Sequence, residues 1–265
     1  MSERALYAYC VIPAGERPPL AGLSGVDPAS GVELLTHDPL SALVSSVSLE
    51  EFGAEALKRN LEDLSWLERT ARAHDAVIER ALAGEAVVPM RLCTIFTDEA
   101  HVHEMLERER DVLLQALGRL RHHAEWGVKV LADRATLENA ARERAQAPVA
   151  VNAEAGAPGH AYLARKKLER SLREQADAFA EGAIEDIHTR LAEQATTTTL
   201  LPPQNPDLSR RSGEMVLNAA YLVHRERARA FTALAEDLRE QGRELGLELE
   251  LTGPWAPYNF VTGRG

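Results

Sequence analysis

The sequence is poor in cysteine, in aromatic residues and in long apolar runs, and each shortage excludes a class of protein. Cys10 and Cys93 are the two cysteines among 265 residues, 83 positions apart. That is too few for a disulfide framework and too wide for a zinc knuckle, so a reducing, cytoplasmic setting is expected, with both thiols buried and inert. No window approaches the roughly eighteen uninterrupted apolar residues of a membrane-spanning helix, and residues 1–11 lack the apolar stretch and cleavage site of a signal peptide. Catalytic fingerprints are missing as well. There is no Gly-x-Ser-x-Gly elbow, no phosphate-binding loop ending in Gly-Lys-Ser/Thr and no Gly-x-Gly-x-x-Gly turn, and Gly22-Leu23-Ser24-Gly25 lacks the lysine and following helix that such a loop needs. A formal charge of -11 argues against nucleic acid or an anionic lipid membrane as partner. The expectation is a protein without catalytic residues, metal or cofactor.

What is present suits two packed α+β domains, since 45% of the residues are apolar and 265 residues exceed a single comfortable core. Residues 6–12 read as a strand stopped by Pro13, and residues 32–36 and 40–47 as two more, joined by the His37-Asp38-Pro39 turn. From about Ser48 the period changes. Leu57, Leu61, Leu64, Leu67, Ala71, His74, Ile78 and Leu82 fall on one helix face, predicting one helix that ends at Gly84. Residues 87–96 return to strand composition around Pro89, and a helix capped by Thr97 or Asp98 is expected to run to about His122.

The second half predicts a strand at 126–132, a flexible excursion at 145–159, a long helix, a strand leading into Leu200-Leu201, and a helix ending at Gly242. A strand at 247–251 follows. Residues 215–223 read as a strand or as the start of that second helix. Strand, helix, strand, strand, helix, strand is the ferredoxin-like order, an antiparallel sheet with helices on one face. The predicted division is 1–123, 124–252 and an aromatic tail at 253–265.

Histidine clusters offer little chemistry. His101 and His103 lie two apart on a predicted helix and point to different faces, and adjacent His74 and Asp75 diverge in the same way, which argues against a proton relay. His122-His123 suits the carbonyl end of a helix. The long helix carries Arg165, Lys166, Lys167, Arg170 and Arg173 before Glu174, Asp177 and Glu181, the reverse of what its macrodipole favours. Pairs four apart, such as Arg170 with Glu174, can account for this, and a polarised surface that meets another protein is the alternative.

The ending is the most informative stretch. Leu247-Glu248-Leu249-Glu250-Leu251 alternates as a half-buried strand, then gives way to Thr252-Gly253-Pro254-Trp255-Ala256-Pro257-Tyr258-Asn259-Phe260-Val261. The two prolines lack an amide donor and are expected to end the strand. Trp255, Tyr258 and Phe260 are three of the thirteen aromatic residues and must dock, on this chain or in a partner's groove. They are candidate partner-binding residues, with Arg165, Lys166 and Arg170 as the polar candidates.

Six blocks carry a resemblance over almost the whole chain: Leu6-Tyr7-Ala8-Tyr9, residues 66–75, residues 87–96, Glu125-Trp126-Gly127-Val128-Lys129-Val130, residues 213–223, and the closing stretch 251–261. In this order they resemble the gas vesicle protein family GvpL/GvpF. The sequence departs from that pattern at Cys10 and Cys93, where glycine is expected in many relatives, and this weakens any claim that those backbone positions need positive φ. The resemblance implies two α+β domains, the second a modified ferredoxin-like unit. It further implies a gas vesicle accessory protein associated with the vesicle, partnered by the small apolar shell protein and other accessory proteins. A small-molecule sensor is the rival reading, by fold analogy. An enzyme would require a pocket gathering His74, Glu68 and Arg91.

Overall fold

The apolar run that opens the chain forms β1 (Arg4–Pro13), buried on both faces from residue 5 to residue 12, as a central strand must be. The computed structural model describes residues 3–133, 135–137, 139–140, 158–203 and 213–261. They divide into two compact units, residues 1–125 with 254–265, and residues 126–253.

In the first unit, β1 pairs antiparallel with β3 (Leu40–Ser48), which in turn pairs with β2 (Val32–His37) across the expected turn. On its other side β1 pairs with two short strands, β4 (Val88–Pro89) and β5 (Ile95–Phe96). The predicted single strand at 87–96 is thus broken by a turn, in which the Thr94 N–H and hydroxyl both donate to the Arg91 carbonyl. Within it Cys93 takes φ 61°, so the backbone adopts the left-handed region there even though the residue is not glycine.

The single helix predicted from about Ser48 to Gly84 is three helices: α1 (Leu49–Phe52), α2 (Ala54–Asn60) and α3 (Leu64–Leu82). Asp63 starts α3 by accepting the N–H groups of Ser65 and Trp66. Leu61 and Leu64 flank this break and remain 45% and 78% exposed, although their spacing matched the buried stripe. Asp98 caps the next helix as expected, but the helix bends at Glu109 into α4 (Glu99–Arg108) and α5 (Arg110–Leu120). The bend lets α4 pack on β2 and β3 while α5 packs on β1 and β4, following a twisted sheet.

The second unit contains α6 (Pro158–Gln194), β7 (Thr197–Leu200), β8 (Glu214–His224) and α7 (Ala228–Arg243), with β6 (His123–Ala132) from residue 126 and β9 (Leu247–Trp255) up to residue 253. The sheet order β7-β8-β6-β9 is the ferredoxin-like order. Residues 215–223 are strand: Leu217, Ala219, Tyr221 and Val223 enter the core with period two, beside Trp126, Val128 and Val130 of β6. Ile187 and Leu191 of α6 and Phe231, Ala235 and Leu238 of α7 complete that core. Gly246, at φ 74°, closes α7 and turns the chain into β9, and a Cβ there would meet the Thr136 side chain at 2.7 Å. β9 runs on through Pro254 to Trp255, beyond the predicted stop. It is an edge strand, and proline is tolerated where one side of the ladder needs no donor. The predicted excursion at 145–159 lies outside the described residues except for its last two positions, which open α6.

Candidate functional site

Pro257 turns the closing segment. Its φ of -81° and ψ of 60° place it at the centre of an inverse γ-turn, closed by the Tyr258 N–H donating to the Ala256 carbonyl. A 3-10 turn follows over Tyr258–Phe260, with the Phe260 N–H donating to the Pro257 carbonyl. The turn fixes which aromatics face inward. Phe260 and Ala256 are buried in the first unit, whereas Trp255 and Tyr258 remain 49% and 39% exposed.

Three side chains hold this segment. Glu125, buried within β6, accepts the Asn259 N–H at 2.9 Å and the Asn259 side-chain amide at 2.6 Å. Burial raises the Glu125 carboxyl above the usual carboxylate range, and the two Asn259 donors act against that rise. Arg119 of α5 donates to the Phe260 and Val261 carbonyls at 3.0 and 2.8 Å. An acceptor thus meets the amide end of the turn and a cation meets its carbonyl end, as backbone dipoles favour. His74 of α3 completes the set by bonding the Tyr258 hydroxyl at 3.0 Å through Nε2.

The protons in that last contact can be assigned from the donors available. The Cys93 N–H can only donate, and it donates to the Tyr7 hydroxyl at 2.9 Å. Tyr7 therefore donates its own proton to His74 Nδ1, 3.0 Å away, and His74 donates from Nε2 to Tyr258. Tyr258 in turn donates to Asp75 at 3.5 Å, a long bond. This arrangement leaves every hydroxyl and ring nitrogen satisfied. Burial lowers the His74 pKa from 6.5 to about 4, with the Met90 backbone opposing, so the ring is neutral as the chain of bonds requires. Burial also raises the Tyr7 and Tyr258 hydroxyls well above their ordinary value. His74 and Asp75 do diverge on the helix, yet Tyr258 joins them, which the sequence could not show.

Beside the segment lies a groove of about 400 Å³ lined by Trp255, Tyr258 and one face of α3. The other candidates are placed as follows. Lys166 and Arg170 are exposed on α6, Arg170 paired with Glu174 at 2.8 Å; the side chain of Arg165 lies outside the described residues. His101 bonds Asp98 at 2.8 Å, and His103 lies against His37 with ring centroids 5.5 Å apart. Among the described residues no group of three His, Cys, Asp or Glu side chains is arranged to hold a metal ion. Glu68 pairs with Arg72 on the exposed face of α3, and Arg91 is exposed, so neither joins buried His74 in a pocket. Glu125, Arg119 and Asn259 were missed from the sequence. A lone glutamate inside the apolar stretch Ala124-Glu125-Trp126 was the available signal.

Comparison with known proteins places this architecture. The family profile of the gas vesicle synthesis protein GvpL/GvpF matches residues 5–262. Gas vesicle protein L of Streptomyces sp. (strain CB03234) is 37% identical over 98% of this chain and 94% of its own length. Gas vesicle protein F of the same strain is 30% identical over 89% of this chain and 90% of its own. The crystal structure of GvpF from Anabaena sp. PCC7120 superposes with a TM-score of 0.70 at 20% identity, covering 99% of this chain and 98% of that one, a likeness of fold.

Proposed function

The chain belongs to the gas vesicle synthesis protein GvpL/GvpF family, and from that premise we propose a non-enzymatic assembly factor that binds the small apolar shell protein and other vesicle proteins. A shell subunit that will face gas exposes apolar surface, and before assembly that surface aggregates unless covered. The observation that carries the reading is Trp255, half-exposed on a segment pinned by Glu125, Arg119 and His74. An aromatic side chain on a pre-ordered backbone gains contact area at little entropic cost.

Partly exposed Tyr258 contributes beside Trp255, while buried Phe260 anchors the segment from within. Arg165, Lys166 and Arg170 on α6 supply a second, polar contact to vesicle proteins. Both ring nitrogens of His74 are engaged in structural hydrogen bonds, which supports a role without bond-making chemistry. The protein acts in the cytoplasm at the growing vesicle.

Deletion in the native host, with electron microscopy for vesicles and complementation by the intact chain, tests this. Loss of vesicles while shell protein is still produced is the expected result. A deletion strain with normal vesicles refutes the proposal.

A further inference from the structure

The groove beside Trp255 has two unlike walls. On α3, Asp75, Ile78, Glu79 and Leu82 follow steps of three, one and three, so two carboxylates and two apolar side chains share one helix face. Opposite them stand Pro254, Trp255 and Tyr258, and Glu125 lies against the segment below. Among the described residues no lysine or arginine lines the groove, and its three carboxylates meet no counter-charge there. Glu125 is occupied by Asn259, so it contributes field more than contact. Among the described residues Asp75 accepts a hydrogen bond from Tyr258 alone, a long one, and partial desolvation of this surface carboxyl raises it above the usual range, the condition of a carboxylate that a neighbouring cation would relieve.

From this charge complementarity we infer that the groove receives an arginine or lysine side chain, flanked by an apolar residue, from a partner vesicle protein. The inference rests on the partner-binding reading above and adds the surface and the chemistry of what it recognises. The cation lies between Asp75 and Glu79 with Trp255 as its third wall, a position favourable to a guanidinium or ammonium. The apolar neighbour covers Leu82 and Pro254. A volume of about 400 Å³ accommodates two such side chains but no folded domain, so the partner presents a protruding segment.

The test uses the tagged full-length chain in the native host, with co-purified vesicle proteins identified by mass spectrometry and their affinity then measured with the purified pair. Wild type is compared with Glu79→Lys and with the Asp75→Asn/Glu79→Gln double variant, both at exposed positions, with folding checked by circular dichroism. Glu79→Lys is expected to weaken binding at least about tenfold, as a like charge placed at an interface does. The double variant is expected to flatten the salt dependence that wild type shows between ~0.05 and ~0.5 M salt. Binding that both variants leave within about twofold of wild type, at all salt concentrations, overturns the inference and leaves the assembly-factor reading standing. Failure of wild type to retain any vesicle protein overturns both.

Discussion

His74 Nε2 and the Tyr258 hydroxyl, 184 positions apart, are joined by a 3.0 Å hydrogen bond that fastens the end of the chain to the middle of α3. On its other nitrogen His74 receives the Tyr7 proton, so one buried imidazole links the central strand, a helix and the closing segment. A group in that position is sensitive to any change that empties one of its bonds.

Tyr258→Phe removes the hydroxyl and keeps the ring. The buried Nε2–H of His74 then lacks an acceptor, at a cost of about 1–3 kcal/mol. Chemical denaturation of the variant against wild type measures this, and limited proteolysis should cut the closing segment faster. A change below about 0.3 kcal/mol would mean the bond is replaced by water.

Acid should loosen the same link. The fold holds His74 at about 4 instead of 6.5, so between those values the unfolded chain binds more protons. The stabilisation is therefore complete above 6.5 and is lost as pH falls toward 4, amounting to roughly 3 kcal/mol. The carboxyls of Asp75 and Glu125, raised by burial, act in the opposite sense, binding more protons when folded. The difference in unfolding free energy between wild type and His74→Gln isolates the histidine. That difference should shrink by roughly 3 kcal/mol on acidification through this window, and a pH-independent difference would contradict the assignment of a neutral ring.

How far this was legible in the sequence depended on how local each signal is. The period-two strands were readable because burial of one face leaves its mark on every second residue, as in Leu247 and Leu249. The break between α2 and α3 was hidden by Leu57, Leu61 and Leu64, whose spacing continues across it; the informative residue was Asp63, whose side chain caps the new helix. The passage of β9 through Pro254 depends on its edge position, which no window of sequence contains. At the site, the aromatic cluster was plain, but its anchors come from elsewhere: Glu125 is 134 positions from Asn259, and Arg119 is 141 from Phe260.

Asn259→Ala tests one of those anchors. Glu125 would keep the backbone N–H and lose the side-chain amide, leaving a desolvated carboxylate half-paired, at about 1–3 kcal/mol near neutral pH. Losing a donor raises its pKa further, and a raised carboxyl stabilises the fold at low pH and loses that effect as pH rises. The deficit of the variant should therefore be smaller in acid than at neutrality, measured by denaturation across that range. A deficit that grows in acid would contradict the pairing.

Cys93→Gly separates backbone strain from packing. At φ 61° a cysteine pays a left-handed penalty of about 1 kcal/mol that glycine avoids. Its half-buried thiol returns part of this, so the variant should be unchanged or more stable by up to about 1 kcal/mol. A loss above about 1 kcal/mol would show that thiol packing outweighs the backbone term.

Trp255 and Phe260 sit five positions apart on one segment and should fail differently. Phe260→Ala empties a buried site and should cost about 3–5 kcal/mol, releasing the segment and lowering partner binding only as a consequence. Trp255→Ala removes a half-exposed ring, so stability should change by less than about 1 kcal/mol while retention of vesicle proteins falls at least tenfold, about 1.4 kcal/mol. Denaturation and co-purification measured on the same preparations distinguish the two. If Trp255→Ala leaves binding intact while Phe260→Ala abolishes it, the segment serves to hold the fold together and the contact with vesicle proteins lies on another surface.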